Sequence, residues 1–285
     1  MLKTFTGKFE RFIVTYAFAF FVLAGSIVMV KPHAVQAEGL SVGFAPVWWQ
    51  YQESSGFRSA MPASTPLSSK VSGVSMGLDL GSDIQIGNGL HLNSSWTFIL
   101  PAYQASESWT YSGNVQTNDF RAFESELKTS LIKDFEGWGT GLWISYLQHI
   151  QERQHFVVNG TPTAIYGEPI QETVQVVWAG LDFQADVAEH INTSLDVGLP
   201  ISVRTTNSNS PGVVWGTYSG YRVGAKVSWD IAEQTGLENW TASLGYQYRQ
   251  LGNEMLQQSN GATTLSYLWP KNTWQALSLN LSYTW

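Results

Sequence analysis

The 285-residue chain has no cysteine, which excludes a disulfide framework, a thiol nucleophile and a thiolate metal site. Charge is scarce as well. Only 13% of residues are Asp, Glu, Lys or Arg, against the ~25% usual in soluble domains. Basic residues are the rarer sign, 15 against 22 acidic. They form no stripe that would suit nucleic acid and no polybasic run that would point to an anionic lipid surface. Past residue 37 no stretch is long and apolar enough for a membrane helix. There is no HExxH motif, His149 and His155 are too far apart along a strand to chelate as neighbours, and the loops have few carboxylates. No metal and no cofactor are expected.

The front end is the one long apolar run. Lys3, Lys8 and Arg11 precede the apolar residues 12–30, and Val35-Gln36-Ala37 supplies small residues before Glu38. Residues 1–37 therefore read as a signal peptide cleaved after Ala37. An uncleaved anchor is the alternative, because the run is near spanning length. Cleavage leaves 248 residues with 11 basic and 21 acidic groups, enough for one large β domain at 38–285.

What the chain has in abundance is alternation. In its last stretch Leu277, Leu279, Leu281, Tyr283 and Trp285 alternate with Ala276, Ser278, Asn280, Ser282 and Thr284, the period of a strand with two unlike faces. About ten segments repeat the pattern, near 39–51, 70–84, 89–102, 119–134, 138–154, 171–187, 190–204, 217–231, 238–250 and 273–285. In nearly every one, one face carries no charge. The opposite face is Gly, Ser, Thr and Asn with scattered ions, whereas a water-facing sheet would be charge-rich. Connections alternate in length. Those at 52–69, 103–118, 155–170, 205–216 and 251–272 are long, and those at 85–88, 135–137, 188–189 and 232–237 are short. Asn88-Gly89 is a favoured hairpin pair.

This alternation, the loop asymmetry and the aromatic terminus resemble Gram-negative outer-membrane β-barrel proteins across Glu38–Trp285. The resemblance implies an all-β fold, a transmembrane antiparallel up-and-down β-barrel of about ten strands with long outer loops and short periplasmic turns. It also implies a monomer in the bacterial outer membrane, surrounded by outer-membrane lipid. Tyr283 and Trp285 would then form the signal read by the barrel-assembly machinery.

Ten strands lie near the size at which side chains fill the interior. Trp49, Trp143 and Trp178 face inward with ions of both signs, so a narrow or plugged lumen is expected. Its charge network would comprise Asp79, Asp182, Asp196, Arg222, Lys226, Asp230 and Arg249. If the turns near 135–137 and 188–189 join their neighbours, Glu124 lies opposite His149 and Asp182 opposite Asp196. Paired carboxylates need a cation between them, which Arg222 or Lys226 could supply.

The functions compatible with this are a passive pore for small solutes or ions and a surface-interaction protein whose outer loops meet a partner. Trp109, Tyr111, Trp215, Tyr218, Tyr267 and Trp269 suit such contacts or a membrane girdle. A surface enzyme, a lipid A hydrolase or peptidase, is the alternative. Ten strands with an outward active site would resemble the omptin proteases, which carry an Asp pair and an Asp-His pair at the outer rim. Here Asp79 and Asp83 lie on a descending strand, and no Asp-His or Asp-x-His sequence exists. The nearest group is His149, Glu152, Arg153 and His155 with Glu124, in which His149 and Glu124 would be the general-base pair.

Overall fold

The computed structural model describes residues 36–55, 67–100, 105–111, 113–163, 169–208, 210–216, 219–252, 254–260, 263–269 and 271–285. Residues 1–35 of the expected signal segment lie outside them. The elements are β1 Gln36–Ser55, β2 Leu67–Gly87, β3 Leu90–Ile99, β4 Ala105–Tyr111, β5 Asn114–Phe135, β6 Trp138–Val158, β7 Thr161–Pro162 and β8 Ile170–Ala188. They continue with β9 Ile191–Asn207, β10 Ser210–Gly216, β11 Gly220–Asp230, the one-turn helix α1 Ala232–Thr235, β12 Trp240–Leu251, β13 Glu254–Asn260, β14 Thr263–Trp269 and β15 Lys271–Thr284.

Ten of these strands close an antiparallel ring in the order β1, β2, β3, β5, β6, β8, β9, β11, β12, β15 and back to β1. Towards the outer end β4 replaces β3 between β2 and β5. Closure brings β1 and β15 together, with the Trp285 amide donating to the Leu40 carbonyl at 3.0 Å. The short turns need backbone that few side chains tolerate. Gly89 (φ 63°) and Gly137 (φ 77°) supply it between β2 and β3 and between β5 and β6. Strands β2, β5 and β6 run 21, 22 and 21 residues, about twice what crosses a bilayer. Much of what reads as long outer loop is therefore barrel wall standing beyond the apolar belt.

The belt is explicit. Leu142 is 66% exposed, Leu199 64% and Val74 60%, on the outside of the ring, where no protein side chain covers them and lipid must. Phe135 and Trp138 stack at 4.3 Å at the lower edge, and the Tyr283 ring lies 5.4 Å from Trp240 and 6.1 Å from Trp285. These aromatics stand at the end where β1 begins and β15 ends, the periplasmic end in this fold class.

Inside, glycines make room for tryptophans. Gly180 and Gly198 are register partners, and Trp143 lies against both; a Cβ on Gly180 would come 2.8 Å from its ring. Gly73 faces Trp49 in the same way, and a Cβ there would come 2.6 Å from the ring. One facing differs from simple alternation. Strict period two on β9 predicts Val203 towards lipid and Arg204 towards the lumen. The pairing with β8 instead shifts between Val177/Ser202 and Trp178/Pro200. Pro200 has no N–H for the ladder, a bulge forms, and the faces exchange beyond it. Val203 (0% exposed) and Thr205 (2%) point inward, and Arg204 shares the outer face with its partner Gln175.

Candidate functional site

The lumen is filled in its outer half and hollow in its inner half. At the outer level, above the belt, Arg153 of β6 gathers three glutamates from three other strands. Its Nε and Nη2 donate to Glu107 of β4 at 2.6 and 3.0 Å, Nη2 also to Glu53 of β1 at 3.2 Å, and Nη1 to Glu172 of β8 at 3.2 Å. Ser69 and Asn118 each donate to Glu107 at 2.9 Å, and the Tyr51 hydroxyl donates to Glu53 at 2.5 Å. Trp109 and Phe120 lie 5.1 and 5.3 Å from the guanidinium. Glu107 is 0% exposed. Burial alone would push its carboxyl pKa up, but the charge and hydrogen bonds of Arg153, with the amide of Asn118, outweigh this and hold it below the usual carboxylate value. The arrangement is a clasp joining four strands across the outer mouth.

Beneath the clasp sits an aromatic layer. Trp49 stacks on Trp274 at 5.2 Å, Tyr51 on Phe120 at 5.7 Å, and His149 meets Trp274 edge-on at 4.8 Å. Glu124 and His149 are register partners, with His149 Nδ1 3.4 Å from Glu124 Oε2. They are 3% and 6% exposed, however, and the Glu124 carboxylate also accepts a hydrogen bond from Arg249. The pair expected as an accessible general base at the outer rim is instead enclosed in the filled section.

The next layer holds the charge network. Asp182 and Asp196 are register partners; Lys128 stands between them, and Arg222 holds Asp196 from the other side. Arg222 Nε donates to Asp196 at 3.0 Å and its guanidinium pairs with Glu126; Lys128 Nζ donates to Asp182 at 3.0 Å and lies 3.8 Å from Asp196. Ser130 adds a hydrogen bond to Asp182 at 2.5 Å. Trp143 lies 4.8 Å from Arg222 and 5.0 Å from Lys128. Asp79 accepts from Thr97 at 2.5 Å and Asn280 at 2.6 Å, and both it and Lys226 line the cavity below. Asp230 stands apart from this group. It is exposed, and its carboxylate caps α1 by accepting from the Ala232 amide at 2.9 Å, because it lies at the very end of β11.

Below these layers a polar cavity of about 400 Å³ extends from Glu124 and Glu126 past Gly77, Ser194 and Gly245 to Thr241, Ser282 and Thr284. Small residues line its lower part, which is why it is hollow.

Sequence reasoning missed the clasp and Lys128. The parity of Glu53, Lys128, Arg153 and Glu172 was readable, but which of them meet depends on ring closure. Trp109, expected at the surface, points inward over Arg153 at 6% exposure. The side chains of Tyr111, Trp215, Tyr218, Tyr267 and Trp269 lie outside the described residues. Among the described residues no group of three or more His, Asp or Glu is placed to hold a metal.

No family model matches this sequence, and no curated protein matches it. Among solved structures, the outer membrane protease OmpT from Escherichia coli superposes with a TM-score of 0.57 at 10% identity, covering 90% of this chain and 100% of that one. Its fold is that of a Gram-negative outer-membrane β-barrel. The outer membrane protein OprG from Pseudomonas aeruginosa is also similar, with a TM-score of 0.38, 8% identity and 88% of this chain covered against 97% of that one. For Neisserial surface protein A the values are 0.31, 12%, 87% and 98%. An outward belt of lipid-exposed side chains on this fold places the barrel in a bacterial outer membrane.

Proposed function

We propose that this outer-membrane barrel is closed to solutes at rest and works through its outer surface, as a surface-interaction protein. The filled outer half of the lumen carries this reading. Arg153 with its three glutamates, the Trp49–Trp274 stack and the Arg222 and Lys128 pairs stand across the lumen above the polar cavity. The test is single-channel recording of the refolded barrel in a planar bilayer. The expected result is silence at neutral pH. Steady openings would overturn the closed-lumen reading and make the Asp182, Asp196 and Arg222 layer a pore lining.

One observation favours a second reading, a surface hydrolase. His155 sits at positive φ (56°) next to a register shift between β5 and β6, with Nδ1 2.5 Å from Asp119 Oδ2, and its side chain is 66% exposed. Backbone strain of this kind collects at functional sites, and a carboxylate on Nδ1 sets the tautomer with a basic Nε2. The pair replaces Glu124 and His149 as the accessible general-base candidate. Hydrolysis of lipid A or of peptides by the purified barrel, lost in His155→Ala, would support it. Activity that survives the substitution would remove His155 from the chemistry.

A further inference from the structure

Five of the buried polar atoms that meet no partner among the described residues belong to side chains lining one small cavity in the filled section of the lumen. They are the indole Nε1 atoms of Trp178 and Trp274, Nε and Nη1 of Arg249, and Nε2 of His149. Trp178 comes from β8, Trp274 from β15, Arg249 from β12 and His149 from β6. None of the four is more than 6% exposed. The cavity measures about 30 Å³, room for one monatomic ion or a water molecule or two. Leu147, Val174, Val176 and Leu251 make much of the remaining wall apolar.

Buried polar groups without a partner cost free energy, and five of them on the walls of one space mark a bound species. The set consists almost wholly of donors. An indole has an N–H and no acceptor, and a guanidinium has donors only. A water molecule would need acceptors for its own two protons. The Tyr51 hydroxyl on the wall is already engaged with Glu53 and Gln151. Glu124 is held by Arg249 Nη2 and His149 Nδ1 and does not line the cavity. The space suits a small anion.

We infer that this cavity is a halide site, in which the N–H groups of Trp178, Trp274 and Arg249 hold one chloride ion. Hydrogen bonds from such donors to an anion are strong, and apolar walls keep out the water that would compete for it. His149 joins them as an imidazolium. It and Arg249 then set two positive charges against Glu124 and the ion. The ion ties β6, β8, β12 and β15 together beneath the Arg153 clasp. The site stands whether or not the lumen conducts.

The test reads tryptophan fluorescence of the barrel in micelles across a bromide series, with sulfate holding the ionic strength constant. Bromide is a heavy halide that quenches an indole it touches. Each sample is refolded at its final bromide concentration, so that entry into the lumen does not limit binding. Quenching should saturate, and chloride should relieve it by competition, whereas sulfate is too large for the cavity. Trp178→Phe and Trp274→Phe each keep an aromatic ring, remove one N–H and should weaken halide binding about tenfold. Trp240→Phe makes a similar change at the periplasmic girdle and should leave the affinity unchanged. Heat-modifiable migration checks that each variant is folded. Quenching that never saturates in the unsubstituted barrel overturns the assignment. So does unchanged affinity in both cavity variants, or an equal loss in Trp240→Phe.

Discussion

Arg153→Met should destabilise the barrel's outer half by about 3–5 kcal/mol, the cost of breaking a buried ion pair from one side. The substitution preserves most of the side-chain volume but leaves Glu53, Glu107 and Glu172 buried around an apolar group, at 3%, 0% and 6% exposure. Three carboxylates without their cation repel and draw water. The clasp should open, and a lumen closed as proposed should begin to conduct. Lysine should rescue little. One ammonium cannot reproduce the fork that serves both oxygens of Glu107 while reaching Glu53 and Glu172. Denaturant unfolding in micelles and bilayer recording measure the two effects. Unchanged stability would mean that the clasp contributes nothing. Lost stability with continued silence would place the seal at the Trp49–Trp274 layer instead.

The second large effect concerns facing. Val197 pairs with Leu181 and Val223 on the lipid side, whereas Ser194 pairs with Gln184 and Lys226 and lines the cavity. Val197→Arg places a charge near the middle of the belt and should cost roughly 2–4 kcal/mol. Ser194→Arg has a hydrated cavity and the Asp196 carboxylate nearby, and should cost far less. The yield of heat-modifiable barrel assembled in lipid vesicles compares them. Equal tolerance would contradict the assigned faces of β9.

The two experiments probe different levels of the molecule. The Val197 result depends on which face a strand turns to lipid. The Arg153 result depends on which strands meet across the ring. The first kind of information is local and the second is not.

The local kind was legible in the sequence. Period-two alternation requires neighbours only two residues apart, so the apolar face of β15 could be read directly from Leu277 to Trp285. A short turn fixes the register of the hairpin it closes. That is why Glu124 opposite His149 and Asp182 opposite Asp196 followed from the turn lengths and recur in the ladder. The aromatic C-terminal end and the long outer and short inner connections carried the barrel class for the same reason.

Tertiary structure decided what lies between distant strands. Arg153 reaches Glu107 across 46 residues of sequence and Glu53 across 100, and nothing in either neighbourhood names the other. The same closure carried Trp109 into the lumen and left Asp230 outside the charge network. Pro200 marks the boundary between the two levels. A missing amide is visible in sequence, but only the paired strand reveals that the ladder slips there and exchanges the faces of Val203 and Arg204. Facing and neighbour register are properties of a strand and its turn, and the sequence determines them. The clasp and the layers beneath it belong to the ring, because a contact across a barrel exists only once the last strand has met the first.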